Sequence, residues 1–283
     1  MKKQSCMSDF IRYTILSVLG TLGVSCYILA DTFFVSKGLG TNGLAALNLA
    51  IPVYNFIHGT GLMLGMGGAT KFSVYKSQGK YEEVNRIYTN TLYLAVLFSG
   101  AFFLLGLLFS GKLAIILGAD ASIFKMTDIY LKWLLLFAPA FILNDVMLCF
   151  VRNDESPQLS MIAMLIGSFS NIVLDYVFIF PMQMGIFGAI LATDLSPIIS
   201  IIIMFPHWMK KKNTFHIVKT KMEANIVKQS LSLGFPSLIT QLSSGIVMIV
   251  FNVLILKLEG NTGIAAYGVI ANISLVVVAV YTG

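Results

Sequence analysis

Four aspartates interrupt long apolar stretches of the sequence: Asp31, Asp145, Asp175 and Asp194. No Lys or Arg lies within those stretches to neutralise them; Lys132 sits at the edge of its run, where its stem can snorkel outward. A charge at the centre of a membrane helix costs about 2.5–3.5 kcal/mol on insertion scales. An uncompensated carboxylate at that depth is therefore protonated, bound to a cation or turned toward water. Each outcome suits a cavity that handles protons, metal cations or cationic organic molecules. Asn171 and Asp175 are four residues apart, on one helical face. An amide oxygen beside a carboxylate is half a site for a hard cation, and Thr193 and Asp194 offer further oxygens. The competing reading is that Ser170 and Asn171 hydrogen-bond a neighbouring helix. His58 also falls in an apolar stretch; an interhelical hydrogen bond is the plainer reading and a proton relay the sharper one. The three cysteines, Cys6, Cys26 and Cys149, form no CxxC, and the last two read as packing residues.

The elements that must position these groups follow from composition. Of 283 residues, 57% are hydrophobic and 11% charged, against about 45–50% and 25% in a soluble domain. That excludes a soluble enzyme, a disordered chain and a secreted disulfide scaffold. The net charge of +6 sits in short loops between apolar runs, so it argues for membrane topology rather than nucleic acid. A spanning helix needs about 20 apolar residues. Eight runs qualify: 12–36, 44–70, 87–111, 131–151, 157–180, 186–206, 231–256 and 262–283. The expectation is an all-α polytopic membrane protein with eight transmembrane helices. The first run is too long for a cleavable signal peptide. The last ends at Gly283 with no polar flank, which reads as a truncated chain. With the N-terminus inside, fourteen of the nineteen Lys and Arg residues face the cytoplasm, so we expect a multi-pass protein of the cell membrane, N-terminus cytoplasmic. Two long inside segments, 71–86 and 207–230, are basic and partly amphipathic and read as anchors to anionic lipid, with His207 and His216 solvated. Pro52, Pro139, Pro197 and Pro236 fall inside runs as kinks. The stretch holding Asn48, Tyr54, Asn55 and Phe56 combines such a kink with amide and aromatic groups. Met63, Met66, Met147, Met161 and Met164 read mainly as lipid-facing or packing residues.

An internal repeat organises the runs. Gly40-Thr-Asn-Gly-Leu-Ala-Ala46 follows the first run and Gly260-Asn-Thr-Gly-Ile-Ala-Ala266 the seventh, and Lys37 aligns with Lys257 at the same offset. The two copies are six spans apart, so both enter the membrane in the same direction, as in parallel-repeat transporters. This divides the chain into a six-helix lobe (1–206), a basic cytoplasmic linker (207–230) and the first two helices of a second lobe (231–283).

At this point Ala30-Asp31-Thr-Phe-Phe-Val-Ser36, with the Gly-x-x-Gly-Leu-Ala-Ala turn and Pro52, resembles the first two spans of the multidrug and toxic compound extrusion (MATE) family. Arg152-Asn-Asp-Glu-Ser-Pro157 resembles that family's loop before the fifth span. Ser170-Asn171-Ile-Val-Leu-Asp175-Tyr-Val-Phe-Ile179 resembles its fifth-span motif, and Gly188-Ala-Ile-Leu-Ala-Thr193 its sixth. The resemblance covers the whole chain, and the chain about two thirds of a usual member. It implies twelve spans in two lobes around a central cavity, and export of cationic amphipathic drugs in exchange for sodium ions or protons. It places the N-terminal-lobe cation site on Asp31, Asn171, Asp175 and Thr193. Asp145 and Asp194 fall outside the pattern and are expected in the substrate cavity with Asn48, Tyr54, Asn55 and Phe56.

The other classes fit less well. A lipid-linked oligosaccharide flippase needs a cationic cavity for its phosphates. A non-transporting membrane protein leaves unpartnered acids unexplained. A channel lacks a symmetric pore motif here, and HExxH and GxSxG enzyme signatures are missing. The expected assembly is a monomer that meets small cationic substrates and membrane lipid, without nucleic acid or a resident cofactor. The expected depths agree for the four site residues: Asp31, Asp175 and Thr193 all fall in the outer halves of their spans, with Asn171 one turn from Asp175. Spans seven and eight should be the least covered.

Overall fold

The eight apolar runs become helices, several of whose ends or breaks fall at glycine or proline. The computed structural model describes residues 6–209 and 213–282; Lys2, Lys3, Lys210, Lys211, Lys212 and Gly283 lie outside them. The helices are α1 (Cys6–Ser77), α2 (Tyr81–Ile116), α3 (Phe124–Leu136), α4 (Ala138–Asn153), α5 (Pro157–Ile179), α6 (Gly185–Met209) and α7 (Ala224–Thr282). No strand is present among the described residues. α1 and α7 each contain two spans. Their helical path is broken at Gly40 (φ 70°, ψ −163°) and at Gly260 (φ 64°, ψ −155°). A positive φ of this kind is available to glycine at little steric cost. The two turns of the sequence repeat therefore share one backbone conformation at the same position. We call the two parts of α1 α1a (6–39) and α1b (41–77).

The fourth span begins earlier than the run 131–151 indicates. It is the pair α3 and α4, bent by 49°. Pro139, in the first turn of α4, has no N–H to continue the ladder from α3. Pro52, Pro197 and Pro236 instead lie within helices that continue past them.

α1a packs on α5 through small residues: a Cβ at Gly20 would lie 3.0 Å from the Met164 sulfur. α5 packs on α6 where Gly167 meets the Ser196 carbonyl. α7 runs along α1b, and a Cβ at Gly67 or Gly234 would overlap the facing Ser230 or Met63 carbonyl. Small residues let membrane helices approach to this distance. The first part of α7 is sparsely covered, with 17% of its most apolar stretch buried against 50% in α6.

The basic segment after α6 is not a free lipid anchor. His207 is buried within α6 and only His216 is exposed. Residues 213–223 run across the start of α2 without regular secondary structure. Asn85 Oδ1, Thr89 Oγ1 and Asn90 Oδ1 accept from the backbone N–H groups of His216 (2.7 Å), Val218 (3.1 Å) and Glu223 (2.8 Å). Phe215 is fully buried among Phe72, Tyr88, Phe150 and Trp208. Hydrophobic patterning missed this because a single aromatic, rather than a helical face, makes the contact.

Candidate cation site

The site forms where α1a, α5 and α6 meet. Asp31 is buried and lines a cavity of about 60 Å³ together with Tyr27, Tyr54, Asn55, Tyr130 and Thr193. α5 turns Gly167, Ser168, Asn171 and Asp175 inward and leaves Phe169, Val173 and Tyr176 exposed. The i, i+4 spacing read from the sequence thus places Asn171 and Asp175 on the inward face. Both are fully buried. With its amide oriented to satisfy both ends, Asn171 donates to Asp175 Oδ2 (3.1 Å) and accepts from the Thr193 backbone N–H (3.2 Å). Thr193 Oγ1 also donates to the Ala189 carbonyl (3.2 Å) and faces the cavity of Asp31. Asn171, Asp175 and Thr193 form one hydrogen-bonded group; Asn171 and Asp175 lie outside the cavity lining, and Asp31 meets the group through the wall it shares with Thr193 and within electrostatic reach of Asp175.

The group is incompletely satisfied. Asp31 Oδ1 and Asp175 Oδ1 are buried without a hydrogen-bond partner. Buried polar atoms are paired in the great majority of cases, so the bare oxygen of Asp31 in the cavity wall and that of Asp175, buried outside the lining, point to an occupant. The donors are carboxylate, amide and hydroxyl oxygens, a set that suits a hard cation, with a proton as the alternative occupant. A cavity of about 60 Å³ admits an ion or a few waters; a drug-sized ligand needs about 300 Å³ or more.

Two residues that the sequence reading passed over belong to the site. Tyr130 of α3 sits against Thr193 within electrostatic reach of Asp31 and Asp175. Tyr27 hydrogen-bonds the Tyr54 hydroxyl at 3.0 Å. Tyr27 was legible, being four residues from Asp31 on the same helical face; Tyr130 carries no such signal, because only the fold brings α3 to α6.

The expected cavity residues disperse. Tyr54 and Asn55 line the cavity of Asp31. Asn48 does not: it is fully buried against α7, its side chain donating to the Ile264 carbonyl (3.2 Å) and its backbone carbonyl accepting from Asn252 (3.4 Å). Phe56 points away, exposed and edge-on to Phe102 of α2. Asp194 is fully buried with both oxygens unpartnered, next to Thr193 in sequence but outside the cavity lining, as adjacent helical residues differ by about 100° in direction. Asp145, expected without a partner, pairs with His58 (Nδ1 to Oδ2, 2.8 Å) in an interhelical contact.

A MatE family model matches residues 17–177. The multidrug export protein MepA of Staphylococcus saprophyticus is 25% identical over 95% of this chain and 60% of its own length. MepA of Staphylococcus aureus is 27% identical over the same shares. Among solved structures, a multidrug resistance MATE family transporter of the MOP superfamily, in an inward-facing conformation, superposes with a TM-score of 0.82. It is 28% identical, over 92% of this chain and 60% of that one. The MATE multidrug transporter DinF-BH has the same fold at a TM-score of 0.88 and 23% identity, over 95% of this chain and 60% of that one. The chain thus spans about 60% of the length of the relatives it matches. Eight helical spans in a multi-pass membrane architecture, a repeat expressed in backbone geometry and a match across more than half its residues place this chain in the MATE family.

Proposed function

We propose that this chain belongs to a secondary active multidrug antiporter that exports cationic amphipathic compounds in exchange for sodium ions or protons. The observation that carries the reading is the convergence of Asp31, Asn171, Asp175 and Thr193 around carboxylate oxygens with no partner. The relatives, named as multidrug export proteins and transporters, support the substrate class. The ion neutralises the two carboxylates, which removes the cost of burying their charge. Its loss leaves like charges buried in the neighbouring helices α1a and α5 and favours a different packing of those helices. Tyr27, Tyr54 and Tyr130 line the cavity of Asp31 and offer hydroxyls to the ion or its hydration shell. In this reading the protein is a monomer of the cell membrane with its N-terminus in the cytoplasm, has no resident cofactor and meets only lipid and small cationic substrates. The flippase alternative is disfavoured by the acidic character of the buried groups.

The test is ethidium accumulation. Cells expressing the protein should retain less ethidium than control cells, and Asp175→Asn should restore accumulation with an unchanged amount of protein in the membrane. In detergent, sodium chloride in place of potassium chloride, or acidification, should raise the melting temperature of the parent protein and not of Asp31→Asn/Asp175→Asn; at a hundredfold excess over Kd the gain is about 2.7 kcal/mol. Unchanged ethidium accumulation together with transfer of an anionic lipid-linked sugar would overturn drug export in favour of flipping.

A further inference from the structure

His58 and Asp145 lie outside the cation site and are not used by it. They meet where α1b packs on α4, with Nδ1 and Oδ2 2.8 Å apart. The approach is fixed by small residues: a Cβ at Gly61 would collide with the Asp145 carboxylate, and one at Gly65 would lie 2.9 Å from Cys149 Sγ. The interface therefore leaves no room for a hydrated ion or an organic cation between the two side chains. What the pair can take up is a proton. It is also not sealed: the Asp145 side chain is 6% exposed, whereas His58 is 28% exposed.

The surroundings contain few other titratable groups. From α1b, Tyr54 stacks on the His58 ring, with centroids 5.8 Å apart and planes 12° apart. From α4, Cys149 follows Asp145 by one turn, and Arg152 comes a turn later, reaching Ser17 and Met66. From α7, Gln241 and Leu238 approach Gly59 and bring no charge. The charged group acting on each member of the pair is the other member. Tyr54 also joins the pair to the cation site, because its hydroxyl meets that of Tyr27 in the wall of the Asp31 cavity. Tyr27 and Asp31 are one turn apart on α1a, and Tyr54 and His58 one turn apart on α1b. A row of polar groups thus leads from Asp31 away from the Gly40 turn to Asp145.

We propose that His58 and Asp145 form a second proton-binding site, separate from the Asp31 cavity, which gains and loses one proton in exchange with solvent. Protonation makes one N–H or O–H bond at the pair, taking the proton from water at the open edge of His58; release returns it there, and no electrons move. Imidazole is suited to this because its charge changes within roughly pH 5 to 8. The inference goes beyond the antiport reading and holds whichever ion the Asp31 cluster binds.

The test is nuclear magnetic resonance of the full chain in lipid nanodiscs, with ¹⁵N-labelled histidine and ¹³C-labelled aspartate, titrated over that pH range. The three imidazoles are told apart with His216→Asn and whichever of His58→Gln and His207→Asn folds; Asp145→Asn assigns the carboxyl. His58 should pass from one protonation state to another within the range, with the Asp145 carboxyl signal moving at the same midpoint. Asp31→Asn should leave that midpoint within about half a pH unit. A His58 imidazole held as one tautomer throughout would make the pair a fixed hydrogen bond and overturn the proposal. So would a midpoint that moves by more than one unit in Asp31→Asn, since the two sites would then be one. The antiport reading is judged separately, by whether sodium or acid perturbs the Asp31 and Asp175 carboxyl signals.

Discussion

Two of the buried acidic centres in this molecule are finished differently. In the loop between α4 and α5, Asp154 is 4% exposed. Its oxygens accept from Lys76 Nζ (2.8 Å), His207 Nε2 (3.1 Å), the Thr214 backbone N–H (2.9 Å) and the Thr214 hydroxyl. Every oxygen is used, and the donors come from α1b, α6 and the chain after α6. The Asp31–Asp175 centre is equally buried but keeps two carboxylate oxygens bare. A saturated acid is a fastener: it joins three segments and has no valence left for a ligand. An unsaturated acid at the same burial is costly unless something else arrives. Burial alone does not separate structure from function here; residual hydrogen-bonding capacity does.

The widest break in this comparison comes from making the same isosteric change in both centres. Asp154→Asn should lower stability by about 3–5 kcal/mol, as removal of one member of a buried charged cluster does. It should also free residues 213–223 to proteolysis. Asp175→Asn removes a charge with an unfilled oxygen and should leave the melting temperature in the absence of sodium unchanged or raised. Equal losses in the two variants would mean that the two centres are built alike.

A smaller effect should follow acidification. Burial works to raise the Asp154 carboxyl, but hydrogen bonds from His207, Lys76 and Thr214 outweigh it and hold the group below the usual carboxylate range. A depressed folded-state pKa contributes stability that is present above the unfolded value, about 3.9, and is lost as pH falls through the folded value. Docking of residues 213–223, followed by hydrogen exchange of the His216 and Val218 amides, should therefore hold at neutral pH and weaken below about pH 4. The loss should be less than in Asp154→Asn, since a protonated carboxyl still accepts from some of its donors. The smallest effect belongs to Glu155. It pairs with Lys76 at 3.1 Å with its side chain 82% exposed, and Glu155→Gln should change stability by no more than about 1 kcal/mol. A larger loss would extend the fastener beyond Asp154.

The sequence was informative wherever a single helix carries the information. Asn171 and Asp175 share an inward face because four residues make about one turn, and the glycines at 40 and 260 mark equivalent breaks because a positive φ suits glycine at both. It was misleading where two helices must be known together. Asn48 is polar and next to Pro52, as a cavity residue would be, yet α7 covers it. His207 lies in a basic stretch, yet Asp154 from another loop buries it. Tyr130 has no neighbour in sequence to betray it.

Membrane residence, the spans, the repeat and the presence of costly buried acids were thus determined by the sequence itself, because hydrophobic length, helical periodicity and charge placement are local properties of the chain. Which of those acids is quenched and which left open was decided only by tertiary structure. Asp145 is met by His58 across α1b and α4, Asp154 by three segments, while Asp31 in a cavity wall and Asp175 buried behind it each keep an oxygen to spare. A carboxylate's remaining hydrogen-bonding capacity depends on donors that arrive from distant parts of the chain, and local spacing cannot encode their arrival.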